Sequence, residues 1–290
     1  MANTIELAKA YVPLCDEVYK EASLSADLDA SAELIQEGFN ANEIVIPKLD
    51  MDGLADYSRN SGYVNGDASL TWETVKCDYD RGRMFEVDEL DNIETGGVAF
   101  GRLAGEFIRT KAVPELDAYR FASYASANGV STATGALTDG QAALDAIATA
   151  MAKMDDDEVP QEGRILYYTP AIARAIAQLD TTKSREVLAD FVKIVKVPQA
   201  RFYSAIDRND GTTEGQEKGG YTKATAGKNL NFEIIHPTAV IQANKLVKPK
   251  IITPDNNQSS DAWKYGYRLV SYAEVYENKA AGVYAHIAAK

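Results

Sequence analysis

The sequence predicts an α+β protein whose parts follow one another as an N-terminal arm, an extended β-ribbon, a long helix, an α/β region and a closing sheet. Three observations support this prediction. Residues 45–90 alternate apolar and charged positions around turn-forming residues. Residues 94–126 carry apolar side chains at helical spacing. Residues from 230 onward are mostly strand-like runs separated by turns.

The composition indicates a globular protein with a sizeable core, because 46% of its 290 residues are hydrophobic and 25% are charged. We expect no membrane span and no signal peptide, since no long apolar run and no basic leader are present. Cys15 and Cys77 match no metal spacing, which fits two ordinary thiols in a reducing cytoplasm. The net charge of −13 argues against tight nucleic-acid binding. The longest basic cluster, residues 245–250, favours a solvated strand face.

Residues 1–44 are predicted to form the arm. An amphipathic helix interrupted around Pro13 is followed by an acidic helix, whose main apolar anchors are Leu28, Leu34 and Ile35. So few apolar side chains cannot bury themselves, and we expect this arm to need a partner surface.

Residues 45–90 are predicted to form an antiparallel ribbon, roughly 25 residues each way, with a polar tip. Ile44 to Ile46 begin the first strand, and Asn65-Gly66 is the strongest short hairpin signal in the chain. Apolar residues of one parity follow on the return: Val75, Cys77, Tyr79, Phe85 and Val87. An isolated two-stranded ribbon is only marginally stable, so we expect it to lie on another chain.

Two groups of ribbon residues are candidates for contact between subunits. Near the tip these are Tyr57, Arg59, Tyr63 and Trp72. On the return strand, dense opposite charge suggests contacts through Arg81, Arg83, Glu86 and Asp88.

The predicted long helix, residues 94–126, contains the stretch "IETGGVAFGRLAGEF". Gly97, Gly101 and Gly105 are four residues apart and therefore lie on one side of the helix. The phosphate-binding patterns G-x-G-x-x-G and G-x-x-x-x-G-K-[ST] are both missing, which favours close packing on another backbone over nucleotide binding. Pro114 predicts a kink or a break.

The middle of the chain is predicted to be α/β. A capping box from Thr138 to Gln141 begins a helix with an apolar stripe at Leu144, Ile147, Ala148, Met151 and Met154. A strand at "RILYY" precedes a second helix capped by Thr169 and begun by Pro170. Strand-like runs follow at "FVKIVKVP" and "RFYSAI", and then a polar loop begins at residue 207.

We expect no catalytic, cofactor or metal site. His236 and His286 are the only histidines, and no nucleophile-elbow motif accompanies either one. The aspartates in "LDMDG" and "DRNDG" lack the spacing of a calcium loop and favour turns. Residues 155–158, all acidic, favour a solvated helix end, although a cation could settle there.

The order of the elements resembles that of the major capsid proteins of tailed bacteriophages, which have the Hong Kong 97-type fold. Two stretches resemble capsid proteins of phages and prophages of Gram-positive bacteria in their wording: "PKLDMDGLADYSRNSGYVNGDASLTWETVKCDYDRGRMFEVDELDNIETGGVAFGRLAGEFIRTKAVPELDAYRF" and "YGYRLVSYAEVYENKAAGVYAH". The resemblance spans residues 40–290 and is only architectural in the α/β region.

This resemblance implies a domain organisation: 1–44 the arm, 45–90 the extended loop, 91–130 with 236–275 the peripheral domain with its spine helix, and 131–235 with 276–290 the axial domain. It also implies a non-enzymatic shell protein that forms pentamers and hexamers of an icosahedral virion capsid, assembled in the host cytoplasm. Its implied partners are copies of itself, a portal protein and packaged double-stranded DNA in weak, non-specific contact. The glycine stripe would let the spine helix lie close on the peripheral sheet.

Two features depart from some members of that family. The arm is too short for a fused scaffolding segment, which favours a separate scaffolding protein. Lys48 and Lys76 lie in the ribbon, but no motif for covalent crosslinking accompanies them. Two alternatives stay open: an encapsulin-like bacterial nanocompartment shell protein with enzyme cargo, and an enzyme of unknown class.

Overall fold

The computed structural model describes residues 22–29, 36–37, 43–60, 62–94, 98–179 and 182–289. Its helices are α1 (Glu89–Glu94), α2 (Val98–Phe107), α3 (Val113–Ser126), α4 (Gly140–Asp156), α5 (Pro170–Ala177) and α6 (Thr182–Ala189). Its strands are β1 (Gln36–Glu37), β2 (Glu43–Met51), β3 (Ala68–Lys76), β4 (Tyr79–Asp88), β5 (Ser131–Gly135), β6 (Ile165–Tyr168), β7 (Lys193–Lys196), β8 (Ile206–Arg208), β9 (Tyr221–Lys223), β10 (Leu230–Ile235), β11 (Val240–Ile252), β12 (Ala262–Val275) and β13 (Val283–Ala288).

Two sheets form the body of the subunit. A mixed five-stranded sheet has the order β5-β13-β10-β6-β7, and an antiparallel three-stranded sheet has the order β11-β12-β4. Helix α3 packs between them in the larger hydrophobic cluster, which includes Phe121, Tyr167 and Tyr265. Helices α4 and α5 cover the other face of the five-stranded sheet. In β10, Phe232 and Ile234 face the cluster under α4 and α5, whereas Ile235 faces the main cluster, because side chains alternate along a strand.

The predicted ribbon is shorter than expected. Its hairpin consists only of β2 and β3, each of nine residues, with β1 pairing on β2 as a third strand. The rest of the predicted return strand is β4, which pairs with β12 in the three-stranded sheet. The predicted length of roughly 25 residues each way is therefore wrong. Alternation alone cannot separate one long strand from two strands in different sheets.

The predicted reversal at Asn65-Gly66 is also wrong. The two hairpin strands are joined by residues 52–67, and the chain reverses where Ser58 and Gly62 exchange backbone hydrogen bonds of 2.8 and 3.2 Å. Gly62 adopts a positive φ of 78°, the left-handed conformation in which glycine carries no penalty. Gly66 is not among the glycines with positive φ, so it does not form the expected two-residue turn.

The long helix and its irregularity at Pro114 are confirmed. Helix α2 continues into α3 through a π-helical segment, residues 108–112, with helical backbone angles at both joints. Pro114 has no N–H to donate, and its ring crowds the carbonyl of the residue four positions earlier. The helix accommodates Pro114 by forming the wider π-helical turn just before it.

Gly105 is the one glycine of the predicted stripe whose surroundings are described, and it does not make the predicted close contact within the chain. A Cβ placed on Gly105 would meet nothing within 4 Å, so no other described element brings its backbone close to this glycine. Gly97 lies outside the described residues, and the surroundings of Gly101 lie outside them as well. The close approach occurs instead at Gly140, where a Cβ would lie 2.2 Å from the Ala175 carbonyl oxygen. Gly140 begins α4 and lets it cross α5 closely.

These two glycines make a matched pair of substitutions. Gly140→Ala is expected to destabilise the subunit by about 1–3 kcal/mol, because α4 and α5 must move apart. Gly105→Ala is expected to stabilise it by up to about 1 kcal/mol, because alanine favours a helix and meets no neighbour. Chemical denaturation of the two variants measures both changes. Equal stabilities would contradict the assigned packing.

The α/β region follows the prediction with local differences. Asp139, rather than Thr138, caps α4, and its side chain accepts a 2.8 Å hydrogen bond from the Ala142 backbone N–H. The apolar stripe of α4 is buried as expected except at Ala148, which is exposed. Thr169 and Pro170 begin α5 as predicted, although the Thr169 side chain makes no capping bond. The predicted strand at "RFYSAI" is wrong before Ile206, where β8 begins.

Candidate assembly surface

The hairpin formed by β2 and β3 exposes an apolar face. Leu49 pairs directly with Leu70, and Met51 pairs with Ala68. Paired residues of antiparallel strands point to the same side, and every second residue shares that side. Leu49, Met51, Leu70 and Trp72 therefore form one face, on which each side chain is at least half exposed. A folded monomer rarely leaves such a face uncovered, so we call it the ribbon face and treat it as a contact surface.

Exposed apolar side chains are concentrated in this hairpin and its tip. Among the described residues, four other large hydrophobic side chains are exposed: Met84, Leu90, Val192 and Val247. Eight are exposed between residues 49 and 72: Leu49, Met51, Leu54, Tyr57, Tyr63, Val64, Leu70 and Trp72. The sequence had pointed to Tyr57, Tyr63 and Trp72 and had missed the five aliphatic residues. The alternation of apolar residues along each strand is visible in the sequence. The predicted turn at Asn65-Gly66, however, assigned these residues the wrong cross-strand partners.

The tip loop is structured by its own contacts. Asp52 accepts a 2.8 Å hydrogen bond from the Asp67 N–H on its carboxylate, and its own N–H donates to the Asp67 carbonyl at 3.0 Å. The rings of Tyr57 and Tyr63 meet edge to face with centroids 4.9 Å apart. Arg59 is exposed at the reversal. The loop therefore presents aromatic side chains on a defined backbone, at little entropic cost on binding.

The charged candidates on β4 have partners within the subunit. The Arg81 Nε donates to Glu115 at 2.7 Å, and an Arg83 Nη donates to the Glu217 carbonyl at 2.9 Å. Glu86 accepts from the Ser260 hydroxyl, and Asp88 accepts a 2.9 Å bond from the Leu90 N–H at the start of α1. Each of these four charged groups therefore has a partner within the subunit, while their contact with a neighbouring subunit stays a prediction.

Residues 22–29 anchor the arm in the body through a buried polar network. Asp117 of α3 is fully buried and accepts hydrogen bonds from the Ser25 hydroxyl at 2.8 Å and from the Leu24 N–H at 3.1 Å. Arg201 donates to the same carboxylate at 3.2 Å. Leu28 is buried in the main core, but the predicted acidic helix is wrong in its described parts, where Ala26–Leu28 is a short 3-10 turn and Gln36–Glu37 is strand β1. The helix predicted around Pro13 and the anchors Leu34 and Ile35 lie outside the described residues.

A second part of the network joins the anchor to β11. The fully buried Arg120 donates to the Ser25 hydroxyl at 3.0 Å and forms an ion pair with Asp29 at 3.4 Å. The Gln242 amide donates to the Ser25 carbonyl at 2.5 Å and to Asp29 at 2.9 Å. Burial raises the pKa of Asp29, and the nearby Arg120 opposes that rise. These contacts hold residues 22–29 against α3 and β11, and so fix the point from which the chain continues toward the hairpin.

Glu233 is a buried carboxyl group outside this network. Its side chain is fully buried in β10, where it pairs with Tyr167 and Ala285, and neither carboxyl oxygen has a hydrogen-bond partner among the described residues. Desolvation raises the pKa of Glu233 well above its usual value. The folded state therefore holds this proton at pH values where the unfolded chain has released it.

This burial predicts a pH-dependent stability. Because the folded pKa is raised, the contribution of Glu233 is fully present below the unfolded value of 4.5 and is lost as pH rises from there toward the folded value. Glu233→Gln is expected to raise the Tm relative to the parent by a few degrees at pH 8 and less at pH 5. The exposed Glu214→Gln is the control. A gain in Tm that does not depend on pH would contradict a protonated Glu233.

Both histidines contact polar groups of the fold. His236 contacts the Glu162 carbonyl at 3.0 Å and the Thr238 hydroxyl at 2.7 Å. His286 contacts Asn231 at 3.0 Å, and burial lowers its pKa. In the same part of the chain, no cluster of His, Cys, Asp and Glu could hold a metal ion, and no helix is suited to cross a membrane.

The acidic segments expected to be turns or helix ends have local partners. Asp210 accepts hydrogen bonds from the Thr213 hydroxyl and from the N–H groups of Thr213 and Thr212, which hold the pKa of its carboxyl well below the usual range. Asp155 forms a 2.7 Å ion pair with the buried Arg164. These contacts explain both segments as parts of the fold.

Solved structures of phage capsids share this fold. The chain superposes on the capsid structure of cyanophage P-SCSP1u with a TM-score of 0.61 and 14% identity, covering 93% of this chain and 89% of that one. For the head structure of Helicobacter pylori bacteriophage KHP40 the TM-score is 0.59 with 10% identity, over 92% and 90%. For the virus-like particle from Pyrococcus furiosus it is 0.58 with 11% identity, over 94% and 95%. The predicted α+β capsid fold is confirmed.

Sequence comparison adds no nearer relative. No protein-family model matches the chain, and no curated protein matches it. At these low identities the superpositions show the fold, and function must be argued from the surfaces.

Proposed function

We propose that this chain is the major capsid protein of a tailed bacteriophage, a structural subunit without enzymatic activity. The observation that carries the proposal is the uncovered ribbon face on a subunit with a capsid fold. A hairpin with one apolar side gains stability only when that side is covered, and a shell of identical copies supplies a cover for every copy. Many weak contacts then close the assembly.

The proposed organisation assigns the two sheets to the two domains expected of this fold. The five-stranded sheet with α4 and α5 forms the axial domain, residues 131–235 with 276–290, around the centres of pentamers and hexamers. The three-stranded sheet with α2 and α3 forms the peripheral domain, residues 91–130 with 236–275. We include β4 in the peripheral domain, because it pairs with β12 along ten residues. The extended loop then comprises β2, β3 and the tip.

The proposed contacts of the ribbon are with neighbouring copies. Tyr57, Tyr63 and Trp72 are exposed aromatic residues, the kind of residue that dominates binding energy at interfaces, and the first two also contact each other. Arg59 at the reversal is a further contact candidate. The charged residues are proposed to act first within the subunit and second between copies: Arg81, Arg83, Glu86 and Asp88.

The other proposed partners are a separate scaffolding protein, a portal protein and the packaged double-stranded DNA. The net charge of −13 restricts DNA contact to weak and local sites. The exposed Lys248 and Lys250 on the edge strand β11 are the described residues best placed for such contact. The proposed location is the virion capsid, after assembly in the cytoplasm of the bacterial host.

The alternative is a shell that encloses protein cargo. It is favoured by the similarity to the virus-like particle from Pyrococcus furiosus, over 94% of this chain. Both functions use the same subunit contacts, so the fold cannot separate them.

The test is to express the chain alone and with its genomic neighbours, and to examine purified particles by electron microscopy. We expect closed icosahedral particles, with nucleic acid or a scaffolding protein inside. Particles that instead co-purify with an enzyme would support the nanocompartment. A chain that forms no particles under any of these conditions would contradict both functions and reopen an enzymatic role.

A further inference from the structure

The ribbon joins the body through a short connection on its return side. Strand β3 ends at Lys76 and β4 begins at Tyr79, and the two strands belong to different sheets. Cys77 is buried in a small cluster with Val270 and Tyr272, whereas Tyr79 is buried in the main core. Cys77 and Tyr79 are both held by burial, and only the exposed Asp78 lies between them. The backbone at Asp78 therefore determines the direction in which the ribbon leaves the body.

Asp78 is held by residues from two other elements. The Tyr119 hydroxyl of α3 donates a hydrogen bond to its carboxylate. The guanidinium of Arg208, at the end of β8, donates to the Asp78 carbonyl at 2.9 Å and approaches the carboxylate at 3.4 Å. The same guanidinium lies 5.5 Å from the centroid of the Tyr119 ring, within the range of a cation–π contact. Each of the three residues thus contacts the other two.

The hairpin that carries Arg208 is itself fastened to β4. Strands β8 and β9 pair with each other and enclose the polar loop. From β4, Arg81 donates to the Gly220 carbonyl at 3.2 Å and Arg83 donates to the Glu217 carbonyl at 2.9 Å. Three arginines therefore connect β4 and its N-terminal end with the β8–β9 hairpin. Two of them reach from β4 to the loop of the hairpin, and the third reaches from β8 to Asp78.

We propose that Asp78, Tyr119 and Arg208 form a lock at the base of the ribbon, and that the β8–β9 hairpin is the brace that holds it. The lock fixes the angle between the ribbon and the body. The consequence for a shell rests on the proposed function: copies with one ribbon angle meet their neighbours at one curvature and close particles of one size.

The test uses Arg208→Gln and Tyr119→Phe, which remove hydrogen bonds to Asp78 and leave the apolar core in place. The matched control is Arg109→Gln, which removes an exposed arginine paired with Glu106 of α2, away from the lock and from the measured segment. In unassembled subunits, hydrogen exchange of residues 76–80 is expected to be about tenfold faster in both lock variants, as for the loss of one charge-assisted hydrogen bond. The control is expected to match the parent.

In assembled material, the lock variants are expected to give a broader range of particle diameters with a Tm lowered by only a few degrees, and Arg208→Lys is expected to restore part of the uniformity. Exchange at the parent rate in both lock variants would overturn the lock. Faster exchange with uniform particles would overturn its role in curvature. A parent that forms no particles contradicts the proposed function, while the exchange experiment still decides the lock.

Discussion

Replacing the tip loop, residues 52–67, with Asn-Gly is expected to abolish shell formation and to leave the subunit folded. Met51 and Ala68 are directly paired, so a two-residue turn can join them without a change of register. The described residues of the loop are exposed apart from the half-buried Gly62, so the loop adds little to the two main cores. It does supply Leu54, Tyr57, Tyr63 and Val64, half of the exposed large hydrophobic side chains of the hairpin.

Sedimentation and far-UV dichroism measure this outcome. The shortened chain is expected to sediment as single subunits or isolated capsomers and to melt cooperatively near the parent Tm. Val192→Ser is the control, because Val192 is as exposed as the tip residues but lies beside β7 in the five-stranded sheet. Closed shells from the shortened chain would refute the role of the tip. Loss of cooperative melting would show that the loop is needed for folding.

Asp117→Ala is expected to destabilise the subunit by about 3–5 kcal/mol, the cost of removing one partner from a buried charged pair. The carboxylate is fully buried and accepts bonds from Ser23, Ser25, the Leu24 N–H and Arg201. Its loss leaves these donors without their acceptor in a low-dielectric interior. Because residues 22–29 depend on it, they are expected to detach first.

Urea denaturation gives the change in free energy of unfolding, and hydrogen exchange shows whether residues 22–29 lose protection first. The matched control is Asp80→Ala, which removes an exposed carboxylate paired with Arg268 and is expected to have little effect. Asp117→Asn keeps the shape of the side chain and part of its acceptor capacity. Its loss in free energy of unfolding is therefore expected to lie between those of Asp117→Ala and Asp80→Ala. A loss no greater than that of Asp80→Ala would contradict a structural role for the network.

The types of element were predictable where local chemistry decides them. Pro114 produces an irregular turn wherever a helix contains it, and Pro170 begins a helix because its missing N–H costs nothing there. The parity of Cys77, Tyr79, Phe85 and Val87 gives their burial regardless of which strand lies beside them. These effects depend only on residues close together in the chain, so they can be predicted from the sequence.

The candidate site was predictable in location and only partly in composition. The polar tip and its exposed aromatic residues follow from a segment too poor in apolar side chains to bury itself. The ribbon face did not follow, because it depends on register. A two-residue turn at Asn65-Gly66 would pair Val64 with Asp67 and hence Leu49 with Gly82, whereas Leu49 pairs with Leu70. A turn signal is a local preference, and the longer reversal at Gly62 overrides it.

The sequence by itself determined the order and kind of the elements, because helix spacing, strand alternation and proline geometry are short-range effects. Only the tertiary structure decided that β4 crosses to β12, that Arg81 and Arg83 are paired within the subunit, and that Glu233 is buried without a hydrogen-bond partner among the described residues. The contacts involved join residues as much as 188 positions apart, as for Arg268 and Asp80. Such pairings are selected by the packing of the whole core, in which each contact depends on all the others.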